Sequence, residues 1–205
     1  MARSLVLATR NQGKIIEFHR ILESLAPGKI ELIGLDKFPE LEDVEETGST
    51  FEENALLKAR YTAAMTGLPS ISDDSGLCVD ALGGAPGILS ARWAGVHGDD
   101  RANLEKLLGE LRDTPDEKRG AHFTCIAALS MPDGREVVAE GLFQGRILYA
   151  PIGDQGFGYD PIFAPLGISM SSAQMSADEK DAVSHRGKSL RSLAPQVIQM
   201  LEGLG

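Results

Sequence analysis

Residues 4–25 read SLVLATRNQGKIIEFHRILESL, and the change of period inside that stretch decides the fold class. Ser4–Ala8 (SLVLA) is a short apolar run of the buried-strand type. Thr9–Lys14 (TRNQGK) is a polar loop containing a glycine, after which Ile15, Phe18, Leu22 and Leu25 recur at helical spacing. Strand, glycine-containing loop and helix is the arrangement that presents backbone N–H groups and a helix N-terminus to phosphate. The G-x-x-x-x-G-K-[ST] spacing of a Walker A loop is absent. On this stretch alone, a phosphate loop and a plain β–α turn both stand.

Outward from it, Ile30–Leu35 reads as a second strand, followed by a loop rich in acids (Asp36, Glu40, Glu42, Asp43, Glu45, Glu46). Thr50 and Glu53 form a T-x-x-E capping box opening a helix through Ala55, Leu56, Ala59 and Ala63, closed by Gly67 and Pro69. Ser70–Ser72 is a short strand running into the turn-like Asp73-Asp74-Ser75-Gly76. A further helix is expected from Asp99 or Asp100 to just before Pro115. The apolar runs Ala121–Met131 and Arg135–Ile147 flank Pro132-Asp133-Gly134, an antiparallel hairpin signature. A glycine-rich loop, Gly153–Asp160 (GDQGFGYD), a capping-box pattern at Ser176 and Glu179, and a helix over Ser184–Leu201 complete the chain. Alternating strands and helices followed by a hairpin predict an α/β fold with a mixed sheet. No repeat or composition break divides residues 1–205, which read as one domain.

The chain has 205 residues, 42% hydrophobic and 24% charged. That length buries roughly 70% of the unfolded surface, so the fold needs no disulfide or metal staple. Acids outnumber bases 30 to 20, for a net charge of -10, which argues against broad contact with nucleic-acid backbones. A small anionic substrate remains compatible if bases converge locally and a cation joins them. Cys78 and Cys125 sit in apolar runs without ligand spacing, which argues against zinc. With neither a signal peptide nor a long apolar stretch in the sequence, a soluble cytoplasmic protein with no membrane partner is expected.

Adjacent carboxylates such as Asp73 and Asp74 repel each other unless a cation or hydrogen-bond donors offset them. Hard carboxylate oxygens suit Mg²⁺, although Asp-Asp-Ser-Gly can equally be a self-capped turn. Glu45-Glu46 can supply a second metal ligand or form part of a solvated acidic surface. Lys14, Lys58, Lys180, Arg186 and Lys188 are the bases available to balance phosphate. In Gly156-Phe157-Gly158-Tyr159-Asp160-Pro161, an aromatic can stack on a base and Asp160 can bond its edge, or the rings can turn into the core. Ser184-His185-Arg186 offers donors to an oxo group, with Ser184 equally suited to a helix cap. A Ser75/His185 nucleophilic pair is disfavoured, because Ser75 lies in no G-x-S-x-G elbow.

Taken in order, LATRNQGK, EETGSTFEENALLKAR, SDDSGLCVDALGGAPGILSAR, GFGYDPIF and DEKDAVSHRGK resemble the inosine/xanthosine triphosphate pyrophosphatase family nearly end to end. The resemblance implies an elongated two-lobed α/β fold, with a central mixed sheet flanked by helices and an active cleft between the lobes. It implies a homodimer that uses Mg²⁺ to cut ITP, dITP and XTP to the monophosphate and pyrophosphate, keeping deaminated purines out of nucleic acids. Maf-like action on other modified or pyrimidine triphosphates, and a non-catalytic nucleotide-binding module, are the rival readings.

Carried over by position, the resemblance assigns Thr9, Arg10, Asn11, Gln12, Gly13 and Lys14 to the triphosphate loop. It makes Asp74 the catalytic acidic residue and, with Glu46, a metal ligand. Ser75, Phe157, Gly158, Tyr159, Asp160, Lys180, His185 and Arg186 become substrate contacts. On this reading His185 and Arg186 meet the oxygen at purine C6 and Phe157 stacks on the base. The chain departs from the family at Met170, Ser171 and Gln174, where a Lys-Thr pair and then an acid are common.

Overall fold

The computed structural model describes residues 2–203. Six strands hydrogen-bond in the order β2-β1-β3-β4-β5-β6: β1 is Arg3–Leu7, β2 Ile30–Gly34, β3 Ser70–Val79, β4 Gly120–Ser130, β5 Glu136–Ile147 and β6 Phe163–Pro165. β1 runs parallel to both β2 and β3, whereas β6 runs antiparallel to β5, so the sheet is mixed as expected. The hairpin is also as expected: β4 and β5 are closed at the turn by Met131 N–H on Arg135 O at 2.8 Å and at the far end by Ile147 N–H on Arg119 O at 2.9 Å. The helices are α1 (Gln12–Leu25), α2 (Phe51–Thr66), α3 (Asp100–Glu110), α4 (Ala177–Val183) and α5 (His185–Glu202). None of them, among the described residues, is long and apolar enough to cross a membrane.

The chain divides into two compact units. The first holds residues 1–74, 125–141 and 186–205. Alternation along β4 sorts its core onto two faces: Ala127 and Leu129 join Leu5, Leu7, Phe18, Leu22, Leu190 and Val197, while Ile126 and Ala128 join Ala55 and Ala59 of α2. Helices α1 and α5 therefore cover one face of this unit's strands and α2 the other. The second unit holds residues 75–124 and 142–185 around Leu77, Leu107, Phe123, Phe143, Tyr159 and Phe163. Gly145 is obligatory there, because a Cβ would collide with Ala164 O of β6.

Two local expectations are corrected. The TRNQGK segment is only half a loop: Asn11 caps the helix by accepting Lys14 N–H at 3.0 Å, so Gln12, Gly13 and Lys14 form the first turn of α1. Asp73-Asp74-Ser75-Gly76 is no turn but the middle of a ten-residue strand. Its carboxylates are matched by cations from distant segments, which removes the need to leave the sheet. The three-residue edge strand β6, absent from the sequence reading, is too short to show an alternation pattern.

Candidate active site

The first unit gathers most of the charged candidates. Along β3, Asp73 and Asp74 alternate between faces, and each meets its own cations. Asp73, with a fully buried side chain, has Oδ1 3.0 Å from Lys14 Nζ and Oδ2 2.8 Å from Arg186 Nη2. Asp74 accepts from Asn54 Nδ2 at 3.1 Å and lies 3.7 Å from Lys58 Nζ. Lys58 in turn donates to Glu46 Oε1 at 2.5 Å. Glu46 reaches this contact from the acidic loop, and Lys58 stands one turn beyond Asn54 on the same face of α2.

These partners set the protonation behaviour. Burial pushes the Asp73 carboxyl up, but Lys14 and Arg186 outweigh it and hold the group well below the usual carboxylate range. Burial dominates at Asp74: despite Lys58 and Lys14, its pKa is raised above the ordinary aspartate value. Lys58 loses by burial and gains more from Asp74 and Glu46, so it stays a firm cation.

Glu46 and Asp74 form a two-carboxylate set converging on one positive charge. Among the described residues no three His, Cys, Asp or Glu side chains form a metal-holding group. Mg²⁺ seldom uses such a cage; it takes one or two carboxylates and completes its shell with water and phosphate oxygens. The donor chemistry of Glu46 and Asp74 fits it.

In the Thr9–Lys14 segment, Thr9 Oγ1 accepts Asn11 N–H at 3.2 Å, and Arg10 turns to Asp43 and to Leu41 O, both at 2.7 Å. Arg10 thus ties the loop to the acidic segment. From sequence, Arg186 is expected to donate to a base. The structure instead commits its guanidinium, 1% exposed, to Asp73 and to Glu17 of α1. Burial disfavours the charge there, and the two acids outweigh it, raising the pKa of Arg186 further.

The second unit builds the other cluster. Asp160 Oδ2 accepts Phe157 N–H at 2.9 Å and Lys180 Nζ at 2.6 Å, closing the glycine-rich loop on itself. Gly156 has a φ of 76° and lies so close that a Cβ would strike Asp160 Oδ2. Lys180 Nζ stands 5.1 Å from the centre of the Phe157 ring, within cation–π range. Gly158 N–H donates to Asp100 at 2.8 Å. Tyr159, expected at the substrate, is a core residue whose hydroxyl donates to Ser90 O at 2.9 Å. Phe157 is half-buried and is the ring left near the surface. His185 stacks on Phe123, centroids 4.8 Å apart and 11° from parallel. Ser75 is half-buried in β3.

The departures at positions 170–174 have a local use. Ser171 Oγ donates to Ile152 O at 2.5 Å, and Gln174 Oε1 accepts Ser171 N–H at 3.0 Å, a capping box over residues 172–174. Glu17 and Asn54 are the site residues that sequence reading missed. Their only signals are the helical offsets from Lys14 and Lys58.

Thus the first unit brings together Lys14, Glu46, Asp74 and Arg186, and the second brings together Phe157, Asp160 and Lys180. The chain is 56% identical to the dITP/XTP pyrophosphatase of Streptomyces avermitilis over 197 residues, 96% of this chain and 98% of the relative. Among solved structures, the nucleoside-triphosphatase / dITP/XTP pyrophosphatase of Mycobacterium abscessus is 52% identical with a TM-score of 0.76, covering 95% of this chain and 99% of that one. A HAM1 protein of Coxiella burnetii is 39% identical with a TM-score of 0.85, covering 97% and 100%. The Ham1 family model matches residues 5–196, and with this identity and coverage the chain belongs to the Ham1 family.

Proposed function

We propose that this chain is a Mg²⁺-dependent nucleoside-triphosphate pyrophosphatase that hydrolyses the deaminated purine triphosphates dITP, ITP and XTP. The observation that carries the proposal is the pairing, in one compact unit, of an anion-ready helix start at Asn11–Lys14 with the Glu46–Lys58–Asp74 cluster. The names of the S. avermitilis and M. abscessus relatives, dITP/XTP pyrophosphatases, support the substrate class.

Lys14 and the N–H groups of the loop hold the polyphosphate, the helix dipole adding to their charge. Water attacks the α-phosphorus, the bond to the bridging oxygen breaks, and pyrophosphate leaves. Asp74 accepts the proton of that water. Glu46 and Asp74 would hold Mg²⁺, which would supply positive charge to the phosphate oxygens. Lys58 keeps the two carboxylates together and ionised.

Phe157 supplies the stacking face for the base, and Asp160 with Lys180 fixes the loop that carries it. His185 donates to the oxygen at C6. Adenine presents an amino group there, and a donor left unmatched costs about 1–3 kcal/mol. Arg186 serves the phosphate half through Asp73, which its Nε and Nη2 both grip. The two units together make one pyrophosphatase domain, which works as a cytoplasmic homodimer; the net charge of -10 suits a nucleotide-pool enzyme that stays off nucleic acid.

The test is pyrophosphate release from ITP, XTP, GTP, ATP and dUTP in parallel, with Mg²⁺ and with EDTA. Metal-dependent release favouring ITP and XTP is expected. Preference for dUTP would move the enzyme to the Maf-like class, and no release from any of the five would make it a binding module.

A further inference from the structure

Four charged side chains form a linked chain inside the first unit, an open ring whose two ends, Lys14 and Glu17, lie one turn apart on α1. Lys14 Nζ meets Asp73 Oδ1 at 3.0 Å, and Asp73 Oδ2 accepts Arg186 Nη2 at 2.8 Å and Nε at 3.2 Å. Arg186 Nη1 donates to Glu17. Glu17 stands three residues beyond Lys14 on α1, the offset that returns two side chains to one helix face. The ring draws on α1, β3 and α5, alternates in sign and carries no net charge.

Its members differ in exposure. The side chains of Asp73, Arg186 and Glu17 are 0%, 1% and 9% exposed, whereas that of Lys14 is 15% exposed and is the member that reaches the surface. Lysine is a point charge on a four-carbon stem, whose position is set by what grips it. Here the grip comes from within, through one oxygen of a carboxylate whose other oxygen is pinned by two guanidinium donors. Asp73 cannot itself touch a substrate. Cys125, whose thiol points at Asp73 Oδ2 from 3.7 Å, and Ser189 behind it seal the ring from below.

We infer that Asp73 is a positioning residue that acts through Lys14, presetting the lysine ammonium for a polyphosphate, with Arg186 and Glu17 as the return arm. The inference rests on the reading of Thr9–Lys14 as the triphosphate loop. Without that preset, binding must order the lysine stem as well as the phosphate, a cost that appears as weaker binding. Asp73→Asn isolates the effect. Its amide oxygen can still accept from Arg186, which turns the NH₂ toward Lys14, donor facing donor.

The experiment is steady-state hydrolysis of dITP by the wild type, Asp73→Asn, Lys14→Met and the double variant, each checked for an intact melting transition. Asp73→Asn is expected to raise KM about tenfold with kcat within about threefold. Lys14→Met is expected to raise KM at least as much, and the double variant to match Lys14→Met. Effects that multiply in the double variant, or a loss confined to kcat, would show that Asp73 acts otherwise and overturn the inference. Should Asp73→Asn not fold, Glu17→Gln replaces it: a KM increase of about threefold that vanishes in the Lys14→Met background supports the ring, and one that persists overturns it. An unchanged KM in Lys14→Met itself would overturn the loop reading and this inference with it. A Lys14→Met effect to which the ring variants add independently removes the inference alone.

Discussion

Asp73 and Asp74, neighbours in sequence, point to opposite faces of β3 and make their direct ion pairs with different cations: Lys14 and Arg186 for the first, Lys58 for the second. Side-chain alternation along a strand turns a repulsive pair into two separate sites. One carboxylate is locked in a buried ring at low pKa; the other keeps a raised pKa beside a partly open cluster. This difference is why the proposed mechanism uses Asp74 and leaves Asp73 to positioning.

Asp74→Asn is expected to lower turnover about 10³-fold while leaving the fold in place. Asn54 Nδ2, now 3.1 Å from Asp74 Oδ2, still finds an oxygen in the variant, and Lys58 keeps Glu46. Pyrophosphate release and a thermal melt on the same preparation check both halves. Near-normal turnover would remove Asp74 from the mechanism.

The Asp160–Lys180 pair makes a different prediction. Both side chains are more than nine-tenths buried and their polar atoms lie 2.6 Å apart. Removing one partner strands the other's charge, at about 3–5 kcal/mol. Lys180→Met should therefore destabilise strongly, and Asp160→Asn likewise, while the double variant loses less than the sum. Urea melts of the four proteins give the coupling. Additive losses would mean that the pair is not what holds the glycine-rich loop.

What the sequence showed, and what it hid, follows from the range of the interactions involved. Helix starts at Thr50, Asp99 and Ser176 and the hairpin at Pro132–Gly134 are set within a few residues, and the structure has each of them. From sequence the Asp-Asp-Ser-Gly segment stays open between a metal-suited strand end and a self-capped turn, because the charges that keep it in mid-strand come from α1, α2 and α5, up to 113 residues away. Glu17 reads as a solvent-facing residue of an amphipathic helix until Arg186 is seen above it. Tyr159 and Phe157, two residues apart in one loop, were indistinguishable as stacking candidates. Only the core around Ser90 shows that Tyr159 faces inward.

Cys125 predicts an alkaline limit. Burial is the main cause that pushes its thiol up to about 12, from an ordinary 9.0, with the nearby Asp73 charge adding to it. A folded-state pKa above the unfolded one contributes stability in full below pH 9.0, and this is lost as the pH rises from there toward about 12, because only the unfolded chain ionises in that window. Between pH 8 and pH 10 the loss from this group is on the order of 1 kcal/mol. Cys125→Ser should flatten that part of the stability-versus-pH curve in urea melts. An unchanged slope would assign the decline to other groups.

Metal removal should stop turnover and spare the fold. Glu46 and Asp74 converge on the Lys58 ammonium at 2.5 and 3.7 Å, so their charge is partly balanced by the protein itself before any divalent ion arrives. EDTA is expected to abolish pyrophosphate release while moving the melting midpoint of the nucleotide-free protein by no more than about 2 °C. Lys58→Met reverses the second result. Two carboxylates left without their ammonium repel each other, and a cation that binds the folded state then stabilises it by RT ln(1 + [L]/Kd), about 2.7 kcal/mol at a hundred times Kd. The midpoint of Lys58→Met should therefore rise with added Mg²⁺ and fall with EDTA, by several degrees in each direction. A wild type that melts early in EDTA would show that the Lys58 ammonium does not suffice to balance the pair, and a Lys58→Met variant indifferent to Mg²⁺ would show that the two carboxylates do not share a metal ion.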